Sequence, residues 1–105
     1  MRMPLDLNYY SSAELDVYPY PTQAITAELA AIPGGWIRIL TSIGETGQVD
    51  DAVVFDAQPA EVFDAPALSA IRGTPFQPAR RDGREVRSRV LIELRVPEQS
   101  IAGTN

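Results

Sequence analysis

Arg84-Glu85-Val86-Arg87-Ser88-Arg89-Val90-Leu91-Ile92-Glu93-Leu94-Arg95-Val96 alternates with a period of two. Val86, Ser88, Val90, Ile92, Leu94 and Val96 fall on one side of an extended chain. Arg87, Arg89, Leu91, Glu93 and Arg95 fall on the other. Successive side chains of a strand point to opposite faces, so this period predicts a strand with one face buried and one wet. Residues 84–96 are therefore expected as one long strand, introduced by the Asp82-Gly83 turn and ended by Pro97. Residues 98–105 are expected as a flexible tail.

Working back from this strand, the pattern changes twice. Residues 64–72 read as a helix, with Asp64 as N-cap, Pro66 in the first turn, and Phe63, Ala67, Leu68 and Ile71 facing a sheet. Gly73 is expected as a left-handed cap, with Pro75 preventing continuation and a short extended piece over 76–79. Before the helix, Ile37, Ile39, Thr41 and Ile43 alternate with Trp36, Arg38, Leu40 and Ser42, which predicts a strand over 36–43. Gly44-Glu45-Thr46-Gly47 is a turn into a second strand over 49–55, with Val49, Val53 and Phe55 on one face and Asp50, Ala52 and Val54 on the other. Thr22 to Ile32 is a short N-terminal helix candidate, stopped by Pro33-Gly34-Gly35. Residues 1–21, with all four tyrosines and a Tyr18-Pro19-Tyr20-Pro21 run, are expected as an extended lead-in.

The order predicts an α+β domain: a small antiparallel three-stranded sheet with one helix packed on one face, β-β-α-β. The domain is placed at residues 22–97. The chain has 105 residues, which suits one domain with a modest core.

Composition removes several function classes. The formal net charge is −5, which argues against broad nucleic-acid binding. The sequence has no histidine and no cysteine, so the usual neutral-pH base and thiolate chemistry are missing. No serine sits in a Gly-x-Ser-x-Gly elbow, and no phosphate-binding glycine loop occurs. Asp50 and Asp51 are adjacent on a strand and point to opposite faces. Asp56, Glu61 and Asp64 surround a helix start, where a carboxylate acts as cap and dipole partner. Neither enzyme activity nor a cofactor is expected. No apolar run approaches the roughly 20 residues that span a bilayer. The arginines crowd the second half: Arg72, Arg80, Arg81, Arg84, Arg87, Arg89 and Arg95. They read either as a solvated face or as a face that meets an acidic or extended partner.

A long strand at a sheet edge offers unpaired backbone groups, to which an extended peptide can add as a further strand. Its charges serve equally well to keep that edge from aggregating. Alternation alone leaves the two readings level.

The order of motifs resembles the C-terminal domain of TonB energy-transducing proteins. The resemblance runs through Gly35-Trp36-Ile37-Arg38-Ile39, Thr46-Gly47-Gln48-Val49-Asp50 and Gln58-Pro59-Ala60-Glu61-Val62-Phe63-Asp64. It continues through Ala67-Leu68-Ser69-Ala70-Ile71-Arg72, Thr74-Pro75-Phe76-Gln77-Pro78 and Asp82-Gly83-Arg84-Glu85-Val86. Tyr20-Pro21 is similar to a Tyr-Pro pair that precedes the domain in that family. The resemblance implies a periplasmic domain tethered to the inner membrane by an N-terminal anchor helix and a proline-rich spacer, and working with inner-membrane motor proteins. It implies binding of the TonB-box peptide of outer-membrane receptors as a strand added beside the last long strand. The residues it implicates are Val86, Arg87, Ser88, Arg89, Val90, Leu91, Ile92, Glu93 and Leu94, with Tyr20. The alternative is a stand-alone structural or dimerising module that uses the same edge to make a homodimer.

Overall fold

Strand β3, Trp36–Ile43, is the centre of the main sheet in the computed structural model, which describes residues 9–25, 34–60 and 64–96. Its predicted alternation is reproduced as far as Thr41: Ile37, Ile39, Thr41 and Ile43 are fully buried and Leu40 on the opposite face is exposed, but Ser42 on that opposite face is also buried, beside Arg89. On one side β3 pairs antiparallel with β4, Val49–Gln58. On the other it pairs antiparallel with β8, Ser88–Arg95, in unbroken register from Trp36↔Arg95 to Ile43↔Ser88. Helix α1, Asp64–Arg72, packs on the buried face over β4 and β3. Ala67 and Ile71, one turn apart on α1, close the core over Ile37, Ile39 and Ala52. Leu68 of α1 and Ile92, Leu94 and Val96 pack around that cluster.

The expected three-stranded sheet is not what forms. The main sheet has four strands and is mixed: a strand β1, Tyr10–Ser11, lies outside β8, giving the order β1-β8-β3-β4. This fourth strand runs parallel to β8 with Tyr10 opposite Ser88 and Ser11 opposite Arg89. Two small sheets accompany it. Strand β2, Tyr20–Pro21, pairs with β5, Phe76–Gln77, and β6, Ala79–Arg81, pairs with β7, Arg84–Val86. The described residues thus hold eight strands in three sheets and one α-helix. Pairing between positions 10 and 88 has no local signature, which is why the alternation pattern missed the fourth strand.

The expected single strand over 84–96 is broken at Arg87. Residues 84–86 turn back on β6 through Asp82 and Gly83, both with positive φ, and the chain joins the main sheet only at Ser88. The alternation continues through the break, so it could not mark it.

The phase of β4 also differs from expectation. Its register with β3 slips twice, leaving Asp50 and Phe55 without an opposite residue. Each extra residue in a strand inverts the faces beyond it. Val49, Ala52 and Val54 therefore share the buried side, and Val53 and Phe55 are exposed at 52% and 64%.

At the end of α1, Gly73 is not left-handed; the positive-φ glycines among the described residues are Gly34, Gly47 and Gly83. The last turn closes instead through Thr74, whose N–H donates to the Ile71 carbonyl at 3.1 Å and whose hydroxyl donates to the Ala70 carbonyl at 2.7 Å. The helix candidate over 22–32 is not helical at residues 22–25; Thr22 donates both its N–H and its hydroxyl to the Pro75 carbonyl. Residues 26–32, residues 61–63 and the tail over 98–105 lie outside the described residues.

Two glycines can be separated by their surroundings. Gly47 has φ +93, and its carbonyl accepts the Phe76 N–H at 3.0 Å; a Cβ there would lie 2.0 Å from the Phe76 carbonyl oxygen. A Cβ on Gly73 would meet only ordinary contacts, the nearest at 3.5 Å. Gly47→Ala is expected to destabilise the fold by roughly 2–4 kcal/mol. Gly73→Ala is expected to lie between neutral and about 1 kcal/mol stabilising. Urea denaturation of the two variants beside the parent chain checks both.

Candidate partner-binding edge

The main sheet ends on two edges, and they differ. The outer edge of β4 carries both register slips, and Asp50 and Asp51 are exposed on it. Bulges and inserted charge are devices that prevent a further strand from adding. The edge of β8 has neither slip. Beyond Ser88 and Arg89, where β1 sits, no strand pairs with it among the described residues.

Backbone groups along β8 can be assigned to sides. The Val96 N–H donates to Gly35 and its carbonyl accepts from Gly34, so even-numbered residues face β3. The Arg87 carbonyl accepts the Tyr10 N–H at 3.0 Å, so odd-numbered residues face outward. In a strand the N–H and C=O of one residue point the same way, and alternate residues point oppositely. Leu91, Glu93 and Arg95 thus direct their backbone donors and acceptors to the open side.

The residues expected at the site fall into several environments. Val90, Ile92 and Leu94 point to the buried side and are half-buried. Leu91 is 48% exposed on the outer face, directly across β3's Leu40 from Val53, so three apolar side chains form a band there. Glu93 binds two arginines: Arg38 Nε donates to it at 3.1 Å, and Arg95 Nε also donates to it. Arg38 reaches Asp56 at 3.2 Å on its other side and lies 4.4 Å above the Trp36 ring. Arg89 donates to the Ser42 hydroxyl at 2.9 Å and lies 4.9 Å from the Tyr9 ring. Ser88 is fully buried, and its hydroxyl has no hydrogen-bond partner among the described residues. Arg87 is the corner before β8, and Val86 belongs to the β6–β7 hairpin. Tyr20 is in β2, opposite Gln77, in a different sheet.

Residues of the lead-in also belong to this edge. Tyr9, Ser11, Glu14, Leu40 and Arg89 line an open cleft of about 490 Å³ at the end of β1. The Tyr9 hydroxyl donates to Asp50 at 2.7 Å; that bond, then partial burial and the Asp50 charge, raise its pKa above the ordinary phenol value, against the pull of Arg87 and Arg89. Glu14 accepts the Ser11 N–H at 2.8 Å, which, with the nearby Arg81, holds its carboxyl below the ordinary range. An aromatic pair beside two serines was the only sequence signal for this role. Of the carboxylates considered for catalysis, Asp56 pairs with Arg38, Asp64 opens α1, and Glu61 lies outside the described residues. No group of three or more His, Cys, Asp or Glu that could hold a metal occurs among the described residues.

The main sheet is thus small and mixed, with one helix on one face, one edge guarded by slips and acids, and one edge largely unpaired among the described residues. The chain belongs to the Gram-negative bacterial TonB protein C-terminal family, whose model matches residues 18–95. No curated protein matches the chain. The family consists of periplasmic domains that serve energy transduction and transport, and this chain is such a domain. Among the described residues no helix is long and apolar enough to cross a membrane.

The charge network on the outer face gives a pH dependence. The bonds from Arg38 and then Arg95 lower the pKa of Glu93 in the folded state. A carboxylate lowered on folding stabilises above its unfolded pKa, and that contribution is lost as pH falls through the folded value. Glu93→Gln is therefore expected to flatten the acid limb of stability, from about pH 5 downward, and to leave the neutral-to-alkaline limb parallel to the parent. Urea midpoints measured across pH for both proteins check this.

Proposed function

We propose that this domain takes an extended peptide from an outer-membrane receptor, the TonB box, as an added strand on the open edge of β8. In this reading the chain couples inner-membrane energy to transport, with motor proteins and an inner-membrane tether as further partners. The observation that carries it is the run of outward backbone groups at Leu91, Glu93 and Arg95 on an unslipped strand. Main-chain hydrogen bonds give such an added strand its affinity, and flanking side chains give it selectivity. On the outer face an incoming strand meets Leu91 and the Glu93 and Arg95 charges; on the inner side it meets the flanks of Ile92 and Leu94. Membership of the TonB C-terminal family supports the partner.

Titrating synthetic receptor N-terminal peptides into ¹⁵N-labelled protein tests the reading. Amide shifts are expected to concentrate along residues 90–95 and to spare the β4 edge. Absence of shifts along residues 86–94 rejects this binding mode. Pairing of the same edge with a second copy is a distinct outcome, seen as a dimer in light scattering across a concentration series.

A proline substitution probes the hydrogen bonds themselves. Proline is tolerated where a strand's N–H faces solvent rather than a neighbour. Leu91→Pro is expected to keep the fold and to weaken peptide binding by about 3–10-fold, the equivalent of one lost hydrogen bond. Calorimetric titration of parent and variant measures it.

A further inference from the structure

We propose that β1 is a releasable internal strand that occupies one end of the partner edge and is displaced when a longer strand adds. This rests on the reading of β8 as the partner edge. Tyr10 and Ser11 lie against Ser88 and Arg89 in the position that an added strand would take. The Tyr10 N–H donates to the Arg87 carbonyl at 3.0 Å, and the parallel register gives the Arg89 N–H to the Tyr10 carbonyl. A partner strand along the whole of residues 87–95 therefore needs the hydrogen-bonding groups that β1 now uses.

Other features mark β1 as separable. It lies ahead of residue 18, where the family match begins. Its side-chain anchors lie near the surface: Arg89 on the Tyr9 ring, Arg81 at 4.8 Å from the Tyr10 ring, and the Tyr9 hydroxyl on Asp50. It pairs over two residues only, whereas residues 91–95 offer a partner further pairing beyond that. The chain leaves β1 through the 3₁₀ turn Ser12–Glu14. Past that turn it is held independently: Asp16 accepts the Asp82 N–H at 2.7 Å, and Val17 bridges Arg80 with reciprocal backbone bonds at 3.1 and 3.0 Å. The turn is thus a hinge between an anchored segment and a lightly held strand.

Hydrogen exchange on the full chain tests release without any ligand. The Arg89 amide is expected to exchange at least tenfold faster than the Ile39 amide, and Tyr10→Pro, which removes the donor to Arg87, is expected to speed it further while leaving Ile39 unchanged. Exchange of Arg89 at the Ile39 rate overturns the proposal, because β1 then opens only with the whole fold. A second arm uses the receptor N-terminal peptides. Since the sequence holds no cysteine, a Ser11→Cys/Arg89→Cys pair can lock β1 by a single disulfide. The oxidised pair is expected to bind at least tenfold more weakly than the same protein after reduction, and Tyr10→Pro to bind 3–10-fold more tightly than the parent. Equal affinities across parent, Tyr10→Pro, and oxidised and reduced pair overturn the gate while leaving partner binding intact. Failure of every peptide on every variant rejects the receptor reading, and the exchange result alone then decides whether β1 is releasable.

Discussion

The structure depends on the double pairing of β3. Its backbone is bonded to β4 on one side and β8 on the other; Ile37, Ile39 and Ile43 are completely buried, the first two in the cluster that α1 closes. Strand alternation leaves β3 no freedom once those three isoleucines are inside: a slip of one residue would carry all of them to solvent and bring Trp36, Arg38 and Leu40 in. The neighbours take their registers from this fixed strand. The position of α1 follows as well, because Ala67 and Ile71 seat against the same buried face.

With β3 fixed, the two outer strands divide the work of the sheet. β4 absorbs two extra residues, which bend and twist it, bring Val49 in line with the core side and turn Phe55 outward. β8 absorbs none. An edge that keeps a regular ladder of outward N–H and C=O groups can receive a strand, and one interrupted by bulges and acids is a poor template. The asymmetry between the edges, more than any single side chain, makes β8 the candidate working surface. The charges along it belong to cross-strand networks, with Arg38 joining Glu93 and Asp56 across three strands. They hold the outer face in order as much as they face a partner.

The lead-in changes the meaning of that edge. Residues 9–17 wrap from β8 to the β6–β7 hairpin, held by aromatic–arginine stacking at Tyr9 and Tyr10 and by backbone bonds at Asp16 and Val17. Exposed ion pairs and single cation–π contacts are each worth about 1 kcal/mol or less. Such a segment is held by several weak interactions rather than by the core. That combination suits a piece of chain that covers an edge and still yields it.

Local pattern in the sequence determined a good deal. The alternation of residues 36–43 fixed β3 and its buried face, the Asp64–Arg72 helix was legible from its first-turn proline and 3.6-residue period, and Asp82-Gly83 marked the hairpin. The ordered motifs identified the family. These features are written in neighbours a few residues apart, where period and turn chemistry act directly. Tertiary structure decided the rest. The break at Arg87 exists because β7 finds its partner in β6 while β8 finds one in β3. The exposure of Val53 and Phe55 exists because β4 had to match a register set by β3. The pairing of Tyr10 with Ser88 joins positions far apart in the chain, through backbone groups that every residue possesses and no side-chain pattern announces. A strand's faces can be read from its side chains; its neighbours are chosen only when the sheet is assembled.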